Sequence, residues 1–412
     1  MDQSFKLRDY QEQAVKEGSK ILDRYSMLIL NYEVRTGKTH IALSIGSKYN
    51  KVLFITKKKA ISSIENDYKT AGYTYPIIIT NYEQLHNINE SFDLVIFDES
   101  HSLSAFPKPS IRTKEAIRIT SKKHTKVILM TGTLLPESNA QIFNQLAVSK
   151  YSPFREFGNF YSWHKAFGTP RLKYTSYGTC NDYSAVDYKK IEPYINPIML
   201  TYTQKEAGFV SQINEHFITV EMATSTYSTI KRLKKDLIIE GSKGVVLADT
   251  AVKLMQKTHQ MYSGSVKFED GTRCVFDETK AIAILEKFKG KKIAIFYKFI
   301  AELDAIKKHL NVTDNIEEFN TTDKNIALQI VSGREGINLS FADAIVYYNI
   351  DFSAISYWQS RDRMTTITRP NSDVYWVFSK GGIEWQIYKA VSNKKDFVLN
   401  TFNKWQANTN QE

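Results

Sequence analysis

The sequence predicts an α/β protein built from two doubly wound parallel-sheet domains, and three observations predict it. At 412 residues the chain exceeds one ordinary core and suits two domains of roughly 150–200 residues each. Short apolar runs recur without polar alternation, as in parallel strands covered on both faces. Segments with helical spacing separate those runs, so strand and helix alternate along the chain. Hydrophobic residues make up 42% of the chain, which supplies a sizeable interior and excludes wholesale disorder.

In the first 150 residues the strand candidates are MLIL at 27–30, KVLFIT at 51–56, PIIIT at 76–80, DLVIF at 93–97 and KVILMT at 126–131. THIALSIGSKYN and AISSIENDYKT read as helices between them. Residues 151–190 break the rhythm. Tyr151, Phe154, Phe157, Phe160, Tyr161, Trp163 and Phe167 fall at spacings of three and four, which reads as a packed helix face rather than a base-stacking platform. A Gly/Tyr/Thr-rich loop follows. From 191 a second unit begins, mainly helical over 222–262 and carrying the basic stretch KRLKKD at 231–236. Strand candidates return at KKIAIFY (291–297), IALQIV (326–331), DAIVYYNI (343–350) and DVYWVF (373–378), with AELDAIKKHL as a helix after the first. The division is therefore 1–150, an aromatic extension and linker at 151–190, and 191–412.

The net charge is +11, from 55 Lys plus Arg against 44 acids, a balance suited to polyanions such as nucleic acid as well as to simple solubility. Cys180 and Cys274 are too few and too far apart for a disulfide framework or a zinc site and fit a reducing cytoplasm. The start, MDQSFKLRDYQ, is charged and has no apolar core, unlike a signal peptide. No run reaches the ~18 apolar residues needed to span a bilayer. The expectation is a soluble protein of the cytoplasm.

Two loops carry chemistry. The strand at 27–30 runs into a segment ending Thr36-Gly37-Lys38-Thr39. Backbone N–H groups at such a loop and helix start can hold phosphate, Lys38 can reach β- and γ-phosphates, and the Thr39 hydroxyl suits Mg²⁺. Gly-Lys-Thr alone is a weak signal, because Tyr32 stands where the first glycine of the usual phosphate loop belongs. About sixty residues on, DLVIF runs into Asp98-Glu99-Ser100-His101. Asp98 is placed to bind the metal through water and Glu99 to orient or deprotonate an attacking water. An acid pair could merely cap a helix, yet the order and separation of the two loops point to ATP hydrolysis with Mg²⁺. His101 either touches the γ-phosphate network or is a loop histidine.

LRDYQ (7–11), TGKT (36–39), ITNYEQL (79–85), DESH (98–101) and TGT (131–133) resemble the ordered motifs of second-superfamily helicases. DESHSLSAFPKPSIRTKEAIRI, TGTLLPESNAQIFNQL and IVSGREGINLSFADAIVYYNIDFSAISYWQSRDR resemble Swi/Snf-related ATPases more specifically. The compact form, without accessory modules, looks like phage-encoded members, which would place it in a host cytoplasm. The resemblance implies two RecA-like lobes with ATP in the cleft between them. It implies that Gln11 reads adenine and that Arg35, Thr36, Gly37, Lys38 and Thr39 surround the phosphates. By the same resemblance Thr131 and Thr133 would couple hydrolysis to nucleic acid. Ser332, Gly336 and Asn338 would belong to a loop meeting nucleotide and nucleic-acid backbone. Gln359 and Arg363 would face the γ-phosphate, Arg363 as the finger that joins hydrolysis to closure. Arg35 departs from the family's phosphate-loop glycine, and Thr366 from its second arginine, so the finger is Arg363 or one of its nearby substitutes, Arg361 and Arg369.

The same resemblance points to DNA as the track, single-stranded, duplex or branched. Lys57, Lys58 and Lys59, at the carboxyl end of the second strand, are placed to contact phosphates without reading sequence. The expected activity is an ATP-dependent DNA translocase or helicase in replication, recombination or repair. No residue distinguishes a 2′-hydroxyl, so an RNA helicase stays open. So do a protein-displacing motor and a binding scaffold without catalysis.

Overall fold

The computed structural model describes residues 5–122, 124–136, 138–175, 178–208, 212–242, 244–333, 339–361, 371–393, 397, 401–402 and 405–406. The chain divides into two compact units, Met1–Gly208 and Phe209–Glu412.

Unit 1 runs α1 (Asp9–Tyr25), β1 (Met27–Tyr32), α2 (Lys38–Gly46), β2 (Val52–Thr56), α3 (Ile61–Thr70), β3 (Ile77–Asn81), β4 (Leu94–Phe97), α4 (Ile111–Thr120) and β5 (Lys126–Thr131). It continues with α5 (Ile142–Leu146), α6 (Phe160–Phe167), β6 (Arg171–Thr175), β7 (Gly178–Asp182), α7 (Tyr188–Ile195) and β8 (Met199–Tyr202). Six strands form one parallel sheet in the order β3-β2-β4-β5-β1-β8. The missing alternation now has its cause. Within β1, Leu28 and Leu30 enter one core while Met27 and Ile29 enter the other, and all four are fully buried. A strand clothed on both faces has no polar side to show.

Unit 2 runs β9 (Gln212–Val220), α8 (Thr224–Asp236), β10 (Ile238–Gly241), β11 (Gly244–Leu247), α9 (Ala251–Tyr262), β12 (Ser265–Lys267), β13 (Arg273–Val275), α10 (Thr279–Lys287) and β14 (Ile293–Tyr297). It continues with α11 (Ile300–His309), β15 (Val312–Thr313), α12 (Ile316–Thr321), β16 (Asn325–Gln329), α13 (Ile330–Gly333), β17 (Ala344–Tyr347), α14 (Ala354–Arg361), β18 (Asn371–Ser379) and α15 (Glu384–Ser392). Its sheet, again parallel, has the order β15-β16-β14-β17-β18-β9. Phe296, Tyr347 and Trp376 pack on one face, and Ile295, Val346 and Val377 on the other.

The two-domain α/β prediction holds, while two local readings differ. The unit boundary falls at 208 rather than 190, because β8 pairs with β1 and adds the sixth strand to the first sheet. The stretch expected as a loop after the aromatic helix is the antiparallel hairpin β6-β7. The stretch 222–262 is mainly helical as read, through α8 and α9, with a second hairpin, β10-β11, between them. The aromatic helix is a packed face: Phe160, Trp163 and Phe167 are buried with Phe154 in one core. Among the described residues, no helix is long and apolar enough to cross a membrane.

Candidate active site

Parallel sheets gather their loops at the carboxyl edge, where ligands of such folds bind. In unit 1 the segments after β1, β2, β4 and β5 all leave that edge, and they carry Gly37-Lys38-Thr39, Lys57, Asp98-Glu99 and Thr131-Thr133.

The loop after β1 is tightly made. Gly37 caps α2 with φ +80°, the left-handed region that favours glycine, and a Cβ there would lie 2.0 Å from Gln11 Nε2, so a side chain would also displace Gln11. Arg35 adopts φ +64°. That is the left-handed region in which glycine is strain-free, so the departure from the family's glycine falls where it costs backbone energy. Thr36 is fully buried and its hydroxyl donates to Glu33 O at 2.7 Å. Lys38 Nζ donates to the carbonyls of Tyr32 (2.6 Å) and Glu33 (3.0 Å). Thr39 lies in the first turn of α2, half-buried.

Gln11 is buried at the start of α1, where Oε1 accepts from Arg8 N–H at 2.9 Å and Nε2 reaches Thr36 O at 3.5 Å. Tyr10 O–H donates to the same carbonyl at 2.9 Å. From the far edge, Tyr202 O accepts from Glu33 N–H at 3.0 Å, Gln204 N–H donates to Glu33 Oε2 at 2.7 Å, and Gln204 Nε2 donates to Val34 O at 3.0 Å.

The segment after β5 lies against this loop. A Cβ on Gly132, between Thr131 and Thr133, would stand 3.4 Å from Tyr32 O and 3.7 Å from Lys38 Nζ. Thr56 Oγ1 donates to Asp98 Oδ2 at 2.8 Å, and Tyr82 O–H donates to Asp98 O at 2.6 Å. Burial first and Glu99 second push the Asp98 carboxyl up from its ordinary value to about 7, against the lowering pull of Thr56 and Lys38. A carboxylate so burdened is relieved by a cation, so the donor set fits Mg²⁺. Glu99 holds φ +49°, a second non-glycine residue in the left-handed region within these loops. His101, 8% exposed, sets Nδ1 at 3.3 Å from both Glu99 Oε2 and Thr131 Oγ1. Thr133 N–H donates to Thr131 Oγ1 at 3.0 Å. A continuous polar chain thus joins Glu99, His101, Thr131 and Thr133. Lys58 and Lys59 are exposed beyond β2 and Lys57 is half-buried.

Thr56 and Tyr82 escaped the sequence reading. Tyr82 lies within the recognised ITNYEQL stretch. Thr56 had a fainter mark, a hydroxyl ending an otherwise apolar strand.

In unit 2, Gly336, Asn338 and Arg363, with Thr366 and Arg369, lie outside the described residues, as do the side chains of Ser332 and Gln359. Arg361 is described and is engaged locally. Its guanidinium lies 4.4 Å from the Trp358 ring centroid and 4.0 Å from Glu215 Oε1. Those contacts tie it to Glu215 and Trp358 within its own unit. At the carboxyl edge of this sheet, Lys298 pairs with Asp351 at 2.6 Å. The fully buried Glu302, Asn349 and His259 form a chain: Asn349 Nδ2 donates to Glu302 Oε1 at 2.5 Å, and His259 Nε2 lies 2.6 Å from Asn349 Oδ1.

No family model matches the chain. A curated relative, the Drosophila melanogaster SWI/SNF-related matrix-associated actin-dependent regulator of chromatin subfamily A containing DEAD/H box 1 homolog, is 28% identical over 203 residues. The alignment takes in 42% of this chain and 23% of that protein, so the chain spans about a quarter of the relative's length. Among solved structures, the Sulfolobus solfataricus SWI2/SNF2 ATPase core in complex with dsDNA shares 16% identity over 95% of this chain and 91% of that one, with a TM-score of 0.45. The Sulfolobus solfataricus SWI2/SNF2 ATPase core domain likewise shares 16% identity over 95% of this chain and 89% of that one, with a TM-score of 0.43. At such identities and scores neither likeness bears on function. Over those 203 residues the chain is similar to this SWI/SNF-related protein, in keeping with the order of its motifs.

Proposed function

We propose that this protein is an ATP-dependent DNA translocase or helicase, acting on branched or duplex DNA in replication, recombination or repair. One observation carries the reading. Lys38, Asp98, Glu99, His101 and Thr131 converge at the carboxyl edge of one sheet, with the Asp98 carboxyl pushed up to about 7.

Each residue then has a role. The N–H groups of the 35–39 loop and Lys38 hold the β- and γ-phosphates, and Gln11 reads the adenine beside Thr36. Thr39 and Asp98 hold Mg²⁺, which neutralises phosphate charge when bound. Glu99 orients the attacking water and takes its proton. The Glu99–His101–Thr131–Thr133 chain makes the acid's position sensitive to the segment after β5. Arg363, with Gln359, meets the γ-phosphate when the lobes close. Lys57, Lys58, Lys59, Ser332, Gly336 and Asn338 grip the sugar-phosphate track.

ATP turnover measured alone and with single-stranded DNA, duplex, fork, four-way junction and RNA tests the reading. Stimulation by DNA is expected, whereas stimulation by RNA alone would replace DNA as the track. Lys38→Ala and Glu99→Gln are expected to abolish turnover with DNA binding largely kept; unaltered turnover in either would refute the site.

A further inference from the structure

We infer that unit 1 carries a docking groove for an acidic peptide anchored by a large apolar side chain. The groove, about 510 Å³, lies between the segment before α4 and the segment from α5 to α6. That is the size of a ligand-binding cleft. Pro107, Pro109, Phe143, Ala147 and Phe160 make its apolar wall. Lys38, Asp98, Glu99, His101 and Thr131 take no part in its lining, so the groove is distinct from the candidate active site. The inference stands whether or not the unit hydrolyses ATP.

Two properties select the occupant. The first is charge. Lys108, Lys150 and Arg155 line the groove and, among the described residues, no carboxylate does. Asn159 and Tyr161 also line it, which sets the start of α6, with its partial positive charge, at the mouth. An apolar ligand flanked by carboxylates satisfies both the wall and its rim. The second is the presentation of the rings. Phe143, Phe154 and Phe160 are 8%, 1% and 3% exposed and lock onto the fully buried Trp163 at ring-centroid distances of 5.3, 5.4 and 5.7 Å. They offer a rigid floor rather than open faces, whereas single-stranded nucleic acid needs open faces for stacking. A preformed floor lowers the ordering cost of seating a side chain. Two exposed apolar residues extend the surface: Tyr161 at the mouth, 47% exposed, and Ile111, two residues past Pro109 and 81% exposed.

The test is fluorescence anisotropy on the full-length protein with a labelled Glu-Asp-Glu-Phe-Leu-Asp-Glu-Asp peptide. Its counterpart with lysine at every acidic position and an oligo-dT strand serve as comparators. The acidic peptide is expected to bind and the basic one not. The exposed double variant K108E/R155E is expected to weaken binding at least 10-fold while leaving ATP turnover and melting temperature unchanged. A147W, which fills the groove, is expected to abolish binding. Absence of binding, or binding indifferent to both variants, overturns the inference. So does displacement of the peptide by oligo-dT that depends on Lys108 and Arg155, which would assign the groove to nucleic acid. Self-association abolished by A147W would assign it to a second copy and overturns it equally.

Discussion

Thr56→Val removes one hydroxyl and little volume from a fully buried position. That hydroxyl donates at 2.8 Å to Asp98 Oδ2, and Thr56 and Lys38 are the side chains that lower the Asp98 carboxyl while burial and Glu99 raise it. A hydrogen bond to a charged acceptor is worth ~1.5–3 kcal/mol. Loss of a partner that orients a metal-holding carboxylate typically costs about 10–100-fold in metal affinity or activity. The expected result is a Mg²⁺ half-saturation for ATP turnover raised about tenfold or more, with Thr56→Ser restoring most of it because serine keeps the donor. The assay titrates Mg²⁺ at fixed ATP for the three proteins, with thermal melting alongside to show that the fold is intact. A valine variant with the wild-type Mg²⁺ midpoint refutes the reasoning, as does a serine variant as impaired as valine.

Three further outcomes follow from described contacts. Lys280 and Glu384 form an ion pair with both side chains fully buried, so Lys280→Met should cost about 3–5 kcal/mol in denaturant unfolding by stranding the carboxylate. The double variant Lys280→Met/Glu384→Leu should recover most of that loss. The second outcome concerns pH. Burial, then Lys298, holds His259 well below its ordinary value. Below pH 6.5 the unfolded chain takes a proton that the folded one refuses, so His259 lowers stability as pH falls, by about 1.4 kcal/mol per unit until its folded value is reached. Glu302, raised by burial, works in the opposite sense. His259→Gln keeps a donor toward Asn349, so it should lose less stability than wild type between pH 7.5 and 5.5, and equal losses would count against the assignment. The third concerns the track. Replacing Lys57, Lys58 and Lys59 by alanine should flatten the salt dependence of DNA binding, reducing the slope of log K against log salt by about 2–3. An unchanged slope would remove these lysines from the interface.

What the sequence disclosed depended on how each element meets its surroundings. Central strands such as LVIF at 94–97 are apolar at every position because both faces are covered, and such runs stand out. β9 did not stand out, since it lies at the sheet edge and mixes Gln212, Asn214, Glu215 and His216 with its apolar residues. β8 is only four residues long and follows a short 3-10 turn containing Pro197, so its place beside β1 is a long-range fact. In the candidate site, Gly37, Lys38, Asp98 and Glu99 were readable because each follows a strand in the chain itself. Thr56 and Tyr82 act on Asp98 from 42 and 16 residues away, a relation made by the sheet order and not by any local pattern. Arg35 was visible as a departure, but its positive φ needed the backbone.

The late strand β8 has a mechanical consequence. It is the last strand before the chain leaves unit 1 at Gly208, and the residues around its end are fastened to Glu33 and Val34 by three hydrogen bonds. Tension applied along the chain at that exit is therefore delivered first to the backbone beside Lys38. The connector is wired to the very turn proposed to cradle the triphosphate, so load and grip are felt at the same few peptide groups.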